Sequence, residues 1–282
     1  SVIRSRARLS YDQVDSYLQG DATALDSAVP REDAGAIKEM INALNQIRAL
    51  REEIRKKRGS VDFESVETRV VLDQDNKPTG VSVRERTQAT GLIEEAMLAA
   101  NESVAHMLSQ HDLESAYRVH EQPSPESLKL AVTPLLAMGA LEPDVASRIA
   151  IGDQTALQEA LELVHGTRYS RVVNAQLLRA QKRAIYLPTN QGHFALGADA
   201  YCHFTSPIRR YPDVIVHRTL KRLLRGQTAS RAELSALPDI CSTCSEQERK
   251  ADAAARATQK IKLAEYYQSR LGEETWGTID GC

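Results

Sequence analysis

Residues 33–58 place the tightest limit on the fold. Ile37, Met40, Ile41, Leu44, Ile47, Leu50 and Ile54 recur at steps of three and four, the spacing of one helical face, and Gly59 supplies a stop. About 26 residues at 1.5 Å each make a helix of roughly 39 Å. The segment therefore reads as one long amphipathic helix.

The same periodicity continues along the chain. "YDQVDSYLQG" reads as a short helix closed by Gly20, and "TGLIEEAMLAANESVAHMLSQH" as a helix with a narrow, Ala-rich face suited to close packing. Ser124-Pro125 opens another helix as N-cap and first residue, and two or three more run to about Arg183. Past Gly226 a polar link leads to a long final helix, roughly 239–271, ended by Gly272. The β-rich runs are short. Ile3, Ser5, Ala7 and Leu9 alternate with Val2, Arg4, Arg6 and Arg8 as an opening strand, and "VETRVVLDQDNKPTGVSVRER" reads as a hairpin. "AYRVHE", "AIYLP" and "HFALG" are short strands. The expected class is α+β, rich in helix, with its strands in scattered pairs.

Composition sets the outer bounds. The 282 residues permit one large domain or two ordinary ones, and 42% apolar with 26% charged residues suits a soluble protein with a core. No run of about 18 apolar residues is present, so no membrane span is expected. Four cysteines do not make a disulfide scaffold in a chain this long, and a reducing cytoplasm is the expected location. The chain starts within a strand-like alternation at Ser1 and stops as "TWGTIDGC" takes on the look of a new strand, which reads as an excerpt of a longer polypeptide.

Charge is distributed unevenly. Between Gly166 and Arg222 ten Lys/Arg face only Asp199 and Asp213, which leaves +8 there and −10 elsewhere in a chain of net −2. A basic stripe of this kind suits a phosphate-binding surface, and equally a solvated helix face. Within it lies "YCHFTSPIRRYPDVIVHR", residues 201–218. Ser206-Pro207 marks a helix start there, after which Arg209 or Arg210, Asp213 and His217 share a face and Pro212 kinks the helix. Free amides and arginine forks attract phosphate. The aromatics Tyr201, His203, Phe204 and Tyr211 beside them suit single-stranded nucleic acid. The structural alternative is an ordinary cap followed by an Arg209–Asp213 ion pair.

Other motifs carry less. Cys241 and Cys244 form a lone CxxC on a helix, without the second ligand pair that zinc needs. "DQDNKPTG" places Lys77 where calcium requires an oxygen, so it is a hairpin turn. Glu94 and Glu95 are adjacent on a helix and diverge by about 100°, so at most one faces a site. His106, His111, His120 and His165 show no ligand spacing.

"HFTSPIRRYPDVIVHR" resembles the signature of the RNB family of exoribonucleases. "RSRARLSYDQV", "KKRGSVDFE", "IEEAMLAAN", "YRVHEQPSPE" and "GHFALGADAY" follow in family order. The resemblance implies a C-terminal portion of the catalytic domain over residues 1–272 and the start of an S1 RNA-binding barrel over 273–282. It also implies processive 3′→5′ hydrolysis of single-stranded RNA to nucleoside 5′-monophosphates with magnesium ions, by two-metal logic. Arg209 matches the arginine on the scissile phosphate, Tyr11 and Phe63 match aromatics that clamp bases, and Glu94 matches a contact to the terminal nucleotide. Tyr201, Thr205, Ser206, Arg210 and Tyr211, within or beside the signature, are further expected RNA contacts. The family's aspartate cluster, D-x5-D-D, does not occur in this sequence, so the metal ligands are expected upstream of Ser1. Ala255 stands before Arg256 where the family often has Glu, which bears on RNA release or affinity. Expected partners are single-stranded RNA, the upstream half of the domain and the downstream S1 domain, in a monomer. The alternative is a non-catalytic RNB-like protein that binds RNA or protein.

Overall fold

A computed structural model describes residues 2, 4–63, 67–84, 86–268 and 270–274. The expected start of an S1 strand lies outside the described residues beyond 274. Helix α1 (Tyr11–Leu18) is closed at its N-terminus by a capping box in which Ser10 and Gln13 each accept a backbone amide of the other. The long periodic segment is α2 (Ala34–Lys57), and Gly59 follows at φ +86°, a conformation that favours glycine. β1 (Glu67–Leu72) and β2 (Pro78–Arg84) form the antiparallel hairpin. The Asp73 carboxylate closes its turn by accepting the amides of Asp75 and Lys77, both at 2.9 Å.

Helix α3 (Gln88–Gln110) leads to β3 (Tyr117–Val119), which pairs antiparallel with β4 (Ile185–Leu187). Between these strands lie α4 (Pro125–Ala137), α5 (Pro143–Ala150), α6 (Gln154–Val164) and α7 (Ser170–Ala180). Ser124 caps α4, as its position before Pro125 requires. Helices α8 (Tyr211–Leu224) and α9 (Arg231–Gln268) complete the described structure. Among the described residues the four strands form two separate pairs, so the class is the expected helix-rich α+β.

Three apolar clusters hold these elements. One lies among α4–α7, with Leu128, Leu135, Ile149, Leu157, Val173 and Leu177 at its centre. A second joins the C-terminal half of α3 to the β3–β4 pair, α8 and α9 through Leu108, Tyr117, Val119, Val216 and Leu237. A third gathers α1, α2 and the start of α3 around Leu25, Ile41 and Leu92. Helix α3 therefore belongs to two clusters and links them.

Three local expectations are corrected. Described residues 4–10 are not a strand. Ala7 and Leu9 do turn inward onto the third cluster, but the segment is held by side chains such as Arg6, 2.7 Å from Asp33, rather than by a strand ladder. "HFALG" forms a 3₁₀ turn at Phe194–Leu196 that ends on Gly197 at φ +57°. Only His193 keeps isolated bridges, to His120 and Ala198. The final helix starts at Arg231, eight residues before the expected Asp239, because Ser230 and Glu233 cap it reciprocally. Pro238 is accommodated inside it.

Candidate functional site

The segment 201–218 is fastened to α3 by one buried side chain. Asn101 donates from Nδ2 to the Tyr201 hydroxyl at 2.9 Å and accepts the Phe204 amide on Oδ1 at 2.9 Å. Its carbonyl also accepts from the Cys202 thiol at 3.5 Å. A buried amide with this many satisfied groups fixes the two elements in register. Tyr201 is only 6% exposed, with its ring against His193 and His203 at centroid distances of 5.2 and 5.8 Å. It has no free face for a base, so its expected role as an RNA contact is corrected to that of a brace.

Beyond Tyr201 the chain forms a turn. The amides of Arg209 and Arg210 both bond to the Ser206 carbonyl, at 3.3 and 3.1 Å. Helix α8 starts at Tyr211, not at Ser206, with Arg210 as its N-cap. Pro212 therefore sits in the first turn, where a missing amide costs nothing, and the expected kink does not arise. The ion pair is Arg210–Asp213 at 2.8 Å, in place of Arg209–Asp213. Asp213 is fully buried, and its Oδ1 also accepts the Ser206 amide at 2.7 Å. Phe204 stacks on His217 at 4.1 Å, and His217 Nε2 donates to the Phe204 carbonyl at 2.9 Å.

This bracing separates the two arginines. Arg210 is committed to the loop through Asp213, as is Ser206 through its amide, whereas the buried Thr205 hydroxyl has no hydrogen-bond partner among the described residues. Arg209 is exposed and carries no ion pair or side-chain hydrogen bond among the described residues. Beside it, Tyr211 is half exposed and Ile208 is 98% exposed. The rest of the basic stripe is similarly divided. Lys182 pairs with Glu121 and Arg222 with Glu233, acids from outside the stripe.

The other expected contacts surround the N-terminal half of α3. Glu94 and Asn101 are two helical turns apart on one face, a rise of roughly 10 Å. Tyr11, 47% exposed, edges a recess of about 560 Å³ with Met40, Leu44 and Ile93. Phe63 packs partly against the α4–α7 cluster. Of the adjacent acids, Glu94 faces outward and Glu95 is 1% exposed, bonded to Arg55 at 2.8 Å. Burial raises the Glu94 carboxyl above its ordinary range, and Arg86 Nε, 3.0 Å away, opposes that rise.

Several organising residues have no local sequence signal. Arg58 grips Glu102 through both terminal nitrogens, at 2.5 and 3.2 Å, and donates to the Leu196 carbonyl at 3.0 Å. Arg51 reaches both Glu95 and Glu102, at 3.4 and 3.3 Å. These pairs tie α2 to α3 across more than forty residues of chain. Helical spacing gave their faces but not their partners.

The described residues do not fit a metal pair. Among them no group of three or more His, Cys, Asp or Glu side chains is arranged to hold a metal ion. Cys241 is buried in the second cluster, where burial pushes its thiol up to about 12. That suits a packed thiol and not a thiolate ligand.

Together these elements define a helix-rich body with a braced arginine loop and a half-buried carboxylate on one helix. The RNB domain model matches residues 1–226, and the chain belongs to the RNB family. It is 34% identical to ribonuclease R 1 of Lactococcus lactis over 99% of this chain and 33% of that protein. It is 38% identical to ribonuclease R of Thermotoga maritima over 97% of this chain and 38% of that protein. Its fold superposes on Mycoplasma genitalium RNase R in complex with double-stranded RNA with a TM-score of 0.87 and 27% identity, covering 97% of this chain and 48% of that one. The chain thus spans between a third and two-fifths of the length of these two curated relatives.

Proposed function

We propose that this chain forms part of a 3′→5′ exoribonuclease that degrades single-stranded RNA processively to nucleoside 5′-monophosphates. The observation that carries the proposal is Arg209, exposed and unpaired among the described residues, on a loop fixed from behind by Asn101 and Asp213. A guanidinium presented on a fixed backbone is placed to stabilise charge developing on a phosphate. On this reading Glu94, Phe63 and Tyr11 hold the terminal nucleotides. Tyr211 adds a face beside Arg209.

Magnesium would supply water activation and stabilisation of the leaving oxygen when bound. The described residues offer no carboxylate set for it, and its ligands are proposed to lie upstream of Ser1. An S1 domain starting at residue 273, a cytoplasmic location and a monomeric state complete the proposal. No helix among the described residues is long and apolar enough to cross a membrane.

The second reading is a non-catalytic RNB-like protein that binds RNA or protein. One experiment separates the two. Full-length polypeptide is incubated with 5′-labelled single-stranded RNA and magnesium. Shortening from the 3′ end with release of nucleoside 5′-monophosphates supports the enzyme. Tight RNA binding without shortening supports the second reading.

A further inference from the structure

Arg86 lies between β2 and α3, and three carboxylates from separate parts of the chain meet on it. NH1 is 2.8 Å from Asp62 Oδ2, Nε is 3.0 Å from Glu94 Oε2, and NH2 is 3.7 Å from Glu52 Oε1. Asp62 immediately precedes Phe63, Glu94 is on α3 and Glu52 is on α2. The backbone that presents Arg86 is held by the next residue, Thr87, which caps α3 reciprocally with Thr90. Gly91 lies beside this group, where an added Cβ would make only ordinary contacts with Arg86 Nε and Glu52 Oε1, at 3.9 and 3.6 Å. Arg86, Asp62 and Glu52 also line a cavity of about 460 Å³ with Arg55, Lys56 and Ser60.

We infer that Arg86 is a positioning residue for the 3′-terminal nucleotide, joining the loop of Phe63 to Glu94 so that aromatic face and carboxylate are held at a fixed separation. The inference rests on the exoribonuclease reading only in taking Phe63 and Glu94 as nucleotide contacts. An ordinary surface ion pair contributes little and orders little. Here one planar fork bonds Asp62 and pairs with Glu94 at the same time, two acids from separate segments that would otherwise repel, while Glu52 is held chiefly by Arg48 at 2.6 Å. Arg86 engages Glu94 through Oε2, leaving Oε1 as an acceptor without a protein partner among the described residues. The charged groups that face Glu94 are Arg86, Asp62, Arg55 and Glu95. Without Arg86 the two acids and burial all favour the protonated carboxyl, and Arg55, already bonded to Glu95, is the remaining cation.

The test uses Arg86→Met and Arg86→Lys in the full-length polypeptide, with adenylate tetramers and 20-mers bearing free 3′ ends as probes. Arg86→Met is expected to weaken tetramer binding at least tenfold and 20-mer binding less than threefold, because only the short RNA depends on the terminal contacts. The tetramer loss should deepen as pH falls from 7.5 to 5.5, and Arg86→Lys should recover part of it. Equal weakening of both lengths, or no weakening, overturns the inference. If Arg86→Met does not fold, Asp62→Asn at the exposed anchor of the same fork must show the same length selectivity. Binding is read without hydrolysis. Wild-type protein that holds tetramers but releases no nucleotide would sink the exoribonuclease reading and leave the role of Arg86 to be decided by the variants.

Discussion

The buried carboxylate of Asp213 accepts the Ser206 amide at 2.7 Å, seven residues back along the chain, and thereby closes the loop that presents Arg209. The same oxygen accepts from Arg210. Removing one partner of a buried pair leaves the other charge uncompensated, at about 3–5 kcal/mol. Asp213→Ala should lower stability by that order in denaturant unfolding, and Asp213→Asn by less, since it keeps an acceptor for Ser206. Equal stability of all three proteins would show that the loop does not depend on this carboxylate.

Arg209 should separate chemistry from binding. Arg209→Lys keeps the charge and loses the fork, so single-turnover cleavage should fall about a hundredfold while RNA affinity changes a few-fold at most. Equal losses in both would reduce Arg209 to a general binding residue.

The aromatic contacts should matter most for short RNA. Base stacking is worth about 1–3 kcal/mol per base. Phe63→Ala and Tyr11→Ala should therefore leave longer end products on a sequencing gel. The same limit product in wild type and both variants would remove the clamp assignment.

Acid should loosen the imidazole-rich core behind the loop. Burial first, with neighbouring cations adding to it, holds His193 and His203 down at about 3, against about 6.5 in an unfolded chain. Below pH 6.5 the unfolded state binds more protons. The stability from these neutral rings is complete above that pH and is lost as pH falls toward 3. Each histidine should add up to about 1.4 kcal/mol per pH unit to the decline. His203→Gln should flatten the fall in Tm between pH 7 and pH 5, and an unchanged slope would contradict the assignment.

Two glycines should respond oppositely to alanine. Gly91 has helical geometry and only ordinary contacts around a new Cβ, so Gly91→Ala should be neutral or stabilise by up to about 1 kcal/mol. At Gly197 a Cβ would come 2.8 Å from the Arg58 carbonyl at a positive φ, and the left-handed backbone alone costs about 1–2 kcal/mol. Urea midpoints moving in the same direction for both would refute this contrast.

The sequence by itself determined most of the local structure. Periods of three and four placed α2 and α3, Ser124-Pro125 placed the start of α4, and the polar turn at Asp73 placed the hairpin, because these signals act within a few residues. Its resemblance to the RNB family also pointed to Arg209 and Glu94 as the groups proposed here to act on RNA. Tertiary structure alone decided that Tyr201 is a brace, that Arg210 and not Arg209 pairs with Asp213, and that Arg86 gathers three acids. Residues 4–10 have the alternation of a strand, but a strand is defined by its neighbour, and alternation cannot supply one. Ion pairs such as Arg58–Glu102, forty-four residues apart, depend on which helix faces come together. Those faces are chosen by the packing of whole elements, and no window of sequence contains that choice.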